Sequence, residues 1–116
     1  MKVEYSMNNG IGIARISGRL DGKEPGKLRK ELPNQIKKTP AMVLDCSELE
    51  YVDSTGLGAL LACLRIAVSD DGDLRLAEVT AKVNMLLELT KANMVFQLFP
   101  TVDAAVASYE KQGGMR

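Results

Sequence analysis

The first part of the chain alternates between apolar and polar residues, which is the pattern of a half-buried strand. Val3, Tyr5 and Met7 fall on one side of such a strand. Residues 8–10, Asn-Asn-Gly, then predict a tight turn, because Asn and Gly tolerate positive φ. A second strand is predicted over residues 11–17 with apolar residues on both faces, so either both faces are covered or a bulge intervenes. The chain is therefore expected to open with a β-hairpin.

A helical pattern follows the hairpin. Leu28, Leu32 and Ile36 are spaced by four and predict an amphipathic helix over residues 24–37. Pro33 lies inside this helix, and an internal proline removes a backbone donor and clashes with the preceding turn. We therefore expect a kink or break near Leu32.

Three further helices are predicted from the same kind of spacing. The most apolar of them begins at Ser54 and ends near residues 69–72. The next is expected over residues 80–91. Its predicted inner-face residues are Val83, Leu86, Leu87 and Thr90. The last helix begins after Thr101, a residue type that caps helix N-termini well, and runs to about Tyr109.

Short apolar runs between the helices predict the remaining strands. Residues 41–44 form a continuous apolar run, which is typical of a central strand buried on both faces. Further strands are expected at residues 73–77 and 95–98, while residues 18–22 and 45–53 are expected to be connecting segments.

The predicted order of elements is ββαβαβαβα. This order indicates a single α/β domain with a mixed β-sheet of about five strands, including the N-terminal hairpin, and about four helices packed on it. We assign residues 1–111 to this domain and residues 112–116 to a flexible C-terminal tail.

Composition excludes several classes of function. The 15 basic and 15 acidic residues balance, whereas nucleic-acid binders usually carry a basic excess. The absence of histidine removes the commonest general base, and a carboxylate enzyme built on Asp45, Asp53 or Glu48 has no second motif to support it. Cys46 and Cys63 are too few for a zinc site and are expected to be reduced and buried. We therefore predict no enzymatic activity, no metal, no cofactor, no nucleic-acid partner and no membrane insertion, with a cytoplasmic location.

Residues 53–58, Asp-Ser-Thr-Gly-Leu-Gly, form the segment that suggests a function. They open the most apolar helix, where Asp53 and Ser54 could be no more than N-capping residues. A bare cap does not need Gly56 and Gly58, each of which costs about 1 kcal/mol of helix propensity relative to Ala. We therefore expect both glycines to permit a close approach of the backbone.

The same helix has a flank of small residues opposite its leucines. These residues are Ala59, Ala62, Cys63 and Ala67. Two interpretations are open: ordinary packing against a neighbouring helix, or a flat surface that a partner can approach.

The stretch from Val43 to Gly58 resembles the signature of STAS-domain anti-sigma factor antagonists. The resemblance extends over nearly the whole chain. It includes residues 16–21, residues 72–76, the segment from Leu86 to Leu89 and the strand expected around Phe96.

This resemblance implies a function and a set of site residues. In such proteins the serine that corresponds to Ser54 is phosphorylated by a partner that is both anti-sigma factor and serine kinase. The unphosphorylated antagonist binds that partner and releases a sigma factor, phosphorylation ends the binding, and a serine phosphatase resets the switch. The residues implied to bind the partner are Asp21, Asp53, Ser54, Thr55, Gly56, Leu57 and Gly58. The alternative is a STAS subunit of another assembly, such as a stressosome-like scaffold or a lipid-transport complex.

Overall fold

The chain folds as a β-hairpin followed by alternating helices and strands. The computed structural model describes residues 1–23 and 25–113. The strands are β1 (Lys2–Asn8), β2 (Ile11–Leu20), β3 (Ala41–Val52), β4 (Asp73–Ala77) and β5 (Leu98–Phe99). The helices are α1 (Pro25–Lys38), α2 (Ser54–Ser69), α3 (Ala81–Leu89) and α4 (Val102–Gly113), with a 3-10 turn at Ala92–Met94.

The strands form one mixed sheet in the order β1-β2-β3-β4-β5. β1 is antiparallel to β2, and each of the other neighbouring pairs is parallel. The predicted fold class is thereby confirmed. Parallel pairing sets the carboxyl ends of β2 and β3 side by side, with Leu20 opposite Val52. The two segments that leave these strands therefore begin next to each other.

The predicted hairpin turn is confirmed. Asn8 pairs with Ile11, which leaves Asn9 and Gly10 as a two-residue loop. Both adopt positive φ, 52° at Asn9 and 79° at Gly10. Positive φ at both central residues is the signature of a type I′ turn, whose twist matches that of the flanking strands.

Both faces of the sheet are covered. Ala14 and Ile16 of β2 pack in one apolar cluster with residues of α1, α2 and α3, while Ile11 and Ile13 pack in a second cluster with residues of α4. β2 also shows a register shift against β3 between Arg15 and Ser17. Coverage of both faces and a bulge therefore both account for the apolar residues on the two sides of this strand.

Two strands are longer than predicted. β2 continues to Leu20 through residues expected to be a loop, and β3 continues to Val52 through residues expected to be a connection. The two extensions pair with each other, and Leu49 and Val52 turn into the core. Pairing with a neighbouring strand is a tertiary effect that local sequence patterns do not register.

A kink or a break is expected near Leu32, and the expectation of a break is wrong. α1 runs unbroken from Pro25 to Lys38 with Pro33 inside it. Leu28, Leu32 and Ile36 are fully buried, as predicted. Burial of this stripe stabilises the helix by several kcal/mol in total, at roughly 1.5–3 kcal/mol for each large apolar side chain, which exceeds the cost of an internal proline.

The C-terminal part of the chain differs from the prediction in its boundaries. The strand expected at residues 95–98 is instead β5 at Leu98–Phe99, preceded by the 3-10 turn at Ala92–Met94. α3 is shorter than predicted, and Thr90 is exposed at its end. The predicted cap is confirmed, since the Ala104 N–H donates to Thr101 Oγ1 at 3.0 Å.

The predicted tail at residues 112–116 is only partly described. α4 continues to Gly113, beyond its predicted end near Tyr109. Residue 24 of the predicted first helix and residues 114–116 of the predicted tail lie outside the described residues.

Candidate functional site

The start of α2 is held against the end of β2. Leu20 and Val52 are register partners at the ends of their strands, and the Asp53 N–H donates to the Leu20 carbonyl at 3.2 Å. The turn between β3 and α2 therefore cannot separate from the segment that follows β2 without breaking the sheet pairing. This arrangement fixes the position of Ser54, the first residue of α2.

The Asp53 carboxylate joins two segments of backbone. Its Oδ1 accepts a hydrogen bond from the Gly56 N–H at 2.8 Å, and its Oδ2 accepts one from the Gly22 N–H at 2.9 Å. The first contact is an N-cap of α2, as the sequence predicts, and the second reaches the loop after β2. The Gly56 and Gly22 N–H groups lower the pKa of Asp53 because they stabilise its ionised form.

The two glycines of this segment have different roles. A Cβ on Gly56 would lie 2.9 Å from the Leu20 carbonyl carbon and would overlap the carbonyl oxygen. A Cβ on Gly58 would meet nothing closer than an Arg29 guanidinium nitrogen at 3.7 Å. The predicted close approach is therefore confirmed at Gly56 and wrong at Gly58, where a Cβ has room.

The predicted site residues divide into exposed and buried groups. Ser54 and Thr55 are exposed in the first turn of α2, and Asp53 and Gly58 are half-buried. Leu57 is 6% exposed and belongs to the apolar cluster that contains Ala14 and Ile16, so its side chain supports the helix from within. Ser54 and Thr55 thus place two exposed hydroxyl-bearing residues at the helix start.

The loop after β2 brings charged groups to the same edge of the sheet. Asp21 Oδ1 accepts from the Lys23 N–H at 3.0 Å, and Asp21 Oδ2 lies 3.6 Å from Arg19 Nε. The Arg19 guanidinium also stacks on the Tyr51 ring, 4.1 Å from its centroid. Arg19 and Tyr51 are register partners at the ends of β2 and β3, so this stacking is a consequence of the strand extensions that the sequence does not predict.

A groove of about 310 Å³ opens beside Ser54, between the start of α2 and the helix α3. Its lining includes Tyr51, Ser54, Lys82, Met85, Leu86 and Leu89. We refer to this cavity, lined by these residues, as the α3 groove. The sequence gives one signal of it, since Met85 and Leu89 are apolar residues that do not fit the predicted inner face of α3.

Most of the small residues of α2 pack inside the protein. Ala59, Cys63 and Ala67 are buried in the apolar cluster that contains Ala14 and Ile16, and Ala62 is half-buried, which favours ordinary packing over a flat partner surface. Both cysteines are free and buried, as predicted. Burial raises the pKa of Cys46 to about 12 and that of Cys63 to about 11, so neither thiol is a nucleophile near neutral pH.

Residues 1–23 and 25–113 offer no group of three or more acidic, cysteine or histidine side chains that could hold a metal ion. Among the helices of the same residues, none combines the length and apolar character needed to cross a bilayer.

The chain belongs to the STAS domain family, whose model matches residues 2–105. A relative in Paenibacillus polymyxa, the anti-sigma F factor antagonist, is 26% identical over 108 residues, which cover 91% of this chain and 90% of that protein. The chain is thus similar over nearly its whole length to anti-sigma factor antagonists.

Solved structures share the fold. An anti-sigma factor antagonist from Mycobacterium paratuberculosis superposes with a TM-score of 0.83 at 23% identity, with 92% of each chain covered. The antagonist SpoIIAA in its unphosphorylated form gives a TM-score of 0.80 at 17% identity, covering 95% of this chain and 97% of that one. The phosphorylated form of Bacillus SpoIIAA gives 0.71 at 16% identity, with 93% and 99% covered. At these identities the superpositions establish the fold.

Proposed function

We propose that this protein is a cytoplasmic anti-sigma factor antagonist that is switched at Ser54. Unphosphorylated, it binds an anti-sigma factor that is also a serine kinase, and the bound sigma factor is released. The kinase then phosphorylates Ser54 and the complex separates, until a serine phosphatase restores the hydroxyl. The observation that carries this proposal is the exposed Ser54 hydroxyl at the start of α2, in a domain whose relative is an anti-sigma F factor antagonist.

The surroundings of Ser54 favour recognition by a kinase. Asp53 binds the Gly56 and Gly22 N–H groups, and Gly56 packs directly against Leu20. The backbone on both sides of Ser54 is therefore fixed before a partner arrives. A preorganised segment loses little conformational entropy on binding, which benefits affinity.

A phosphate at Ser54 would act mainly on the interface. It adds a charge of about −1.5 to −2 at neutral pH beside the ionised Asp53 carboxylate. The Gly56 N–H, which could otherwise bind a phosphate at the helix N-terminus, is already taken by Asp53. Burying an uncompensated charge costs several kcal/mol, and about 4 kcal/mol weakens binding roughly a thousandfold. The fold need not change for the switch to work.

In this proposal the protein is the substrate of its partner and carries no catalytic residue. The balanced charge supports a protein partner and no nucleic acid. The partner-binding residues are Asp21, Asp53, Ser54, Thr55, Gly56, Leu57 and Gly58, with Gly56 and Leu57 acting through the backbone they hold in place.

The proposal is tested with the purified cognate anti-sigma factor/serine kinase and ATP. One phosphate should be incorporated at Ser54, Ser54→Ala should not be labelled, and Ser54→Asp should lose binding by at least about a hundredfold. Ser69→Ala, a change at an exposed serine at the other end of α2 and outside the proposed site, is the matched control for labelling. Equal labelling of Ser54→Ala would refute the assignment, and copurification with transporter subunits in place of a kinase would favour the alternative assembly.

A further inference from the structure

The outer face of α3 carries large apolar side chains that the fold does not bury. Met85 is 63% exposed and Leu89 is 76% exposed. The chain that follows α3 adds Met94 and Val95, which are 79% and 56% exposed. Single exposed apolar residues are common on protein surfaces, but several within one short segment indicate a contact surface.

These side chains adjoin the proposed phosphorylation site. Met85 and Leu89 line the same groove of about 310 Å³ as Ser54 and Asp53. A partner that covers the Ser54 hydroxyl therefore also reaches the mouth of the α3 groove. Methionine and leucine on adjacent turns of a helix provide the adaptable apolar surface that is enriched in protein interfaces.

The turn at Ser54 is too small to form an interface by itself. A stable complex involves about 20–30 residues on each side and about 800 Å² of surface from each partner. Asp21, Asp53, Ser54, Thr55 and Gly58 are the accessible site residues at this turn, and four of them have polar side chains. More surface is required, and the α3 groove supplies apolar surface directly next to the switch residue.

We propose that the α3 groove is the apolar half of the docking surface for the anti-sigma factor. This inference rests on the proposed function and specifies where its partner binds. The occupant is an apolar segment of the anti-sigma factor that fills the groove over Met85 and Leu89, with a polar or acidic group opposite Lys82 at its rim. A phosphate on Ser54 then enters the wall of a largely apolar groove, where a bound partner would strip its hydration.

The experiment measures binding of the purified cognate anti-sigma factor/serine kinase to the full chain without ATP. The test variant is Met85→Gln together with Leu89→Gln, which keeps helix propensity and changes two exposed residues, so the fold is retained. The matched control is Val68→Gln, 56% exposed and 14 residues beyond Ser54 on α2, about 21 Å away along the helix. We expect the double variant to bind at least tenfold more weakly and Val68→Gln to bind within about twofold of the wild type.

Each outcome decides the proposal. If the double variant binds like the wild type while Ser54→Asp loses binding, the switch stands and the groove assignment is overturned. If the wild-type chain does not bind the anti-sigma factor at all, both are overturned. Light scattering is the second measurement: a wild-type dimer that the double variant converts to monomers would assign the groove to a second copy of this chain and overturn the proposal.

Discussion

Gly56 packs so closely on Leu20 that the Leu20 carbonyl occupies the position where a side chain of residue 56 would begin. Leu20 ends β2 and Gly56 lies in the first turn of α2, so this contact joins the sheet to the helix that carries Ser54. The Leu20 carbonyl also accepts the Asp53 N–H at 3.2 Å. The position of the α2 start thus depends on Gly56 for steric reasons and on Asp53 for its hydrogen bonds.

Gly56→Ala is expected to destabilise the protein. The added Cβ meets backbone atoms of Leu20, which cannot move without disturbing the pairing of β2 and β3. Overpacking of this kind costs about 1–3 kcal/mol, and the upper part of that range applies because the obstacle is backbone. Urea unfolding should show a lower midpoint with an unchanged slope. Stability equal to that of the wild type would mean that the α2 start is not held against β2 as described.

Gly58→Ala provides the contrasting prediction two residues along the same helix. The new Cβ would find its nearest neighbour at 3.7 Å, at the end of the flexible Arg29 side chain. Alanine is favoured over glycine inside a helix by up to about 1 kcal/mol, so this variant should be as stable as the wild type or more stable. The same urea experiment measures it. If Gly58 contacts the partner, Gly58→Ala should weaken partner binding while the free energy of unfolding rises or stays the same.

The Asp53 carboxylate predicts a dependence of stability on pH. Its pKa lies below the ordinary value of 3.8 because the Gly56 and Gly22 N–H groups bind the ionised form. A carboxyl group with a lowered pKa in the folded state stabilises the fold above its unfolded pKa, and this contribution is lost as the pH falls through the folded value. Asp53→Asn should therefore be less stable than the wild type near neutral pH, since an amide cannot accept hydrogen bonds on both sides.

Thermal unfolding of the wild type and Asp53→Asn between pH 7 and pH 3 tests this expectation. The difference between their unfolding temperatures should be largest near neutral pH and should shrink below pH 3.8. Glu50→Gln, which removes the same charge from an exposed position on β3, is the control and should show a smaller difference. A constant difference at every pH would contradict the role given to the Asp53 charge.

Local patterns predict most of the fold and the centre of the site. Apolar spacing alone locates the stripe of Leu28, Leu32 and Ile36. Capping chemistry alone identifies Thr101 and places Asp53 among the candidate caps of α2. Both signals arise within a few residues of sequence. They are therefore readable without knowledge of the tertiary structure.

The features that could not be predicted arise from contacts between distant segments. The extensions of β2 and β3 exist because each strand supplies the other's hydrogen-bond partners, and the stacking of Arg19 on Tyr51 follows from their register. The difference between Gly56 and Gly58 likewise depends on Leu20 and Arg29, which are remote in sequence from the turn. The α3 groove lies between two helices whose relative placement is set by the sheet.

Pro33 shows how tertiary packing overrides a local signal, and it can be tested directly. An internal proline costs a helix about 3 kcal/mol, because it has no N–H to donate to the carbonyl four residues earlier, which for Pro33 is that of Arg29. Pro33→Ala restores that hydrogen bond but also frees the unfolded chain, which offsets about 0.4–1 kcal/mol. We expect a net gain of about 2 kcal/mol in the free energy of unfolding, measured by urea denaturation.

Asn34→Ala, a change at the exposed neighbouring residue, is the control and should gain less than about 0.7 kcal/mol. If Pro33→Ala is no more stable than the wild type, then packing of the proline ring compensates for the missing hydrogen bond, and burial of the apolar stripe is not the sole reason that α1 continues through Pro33.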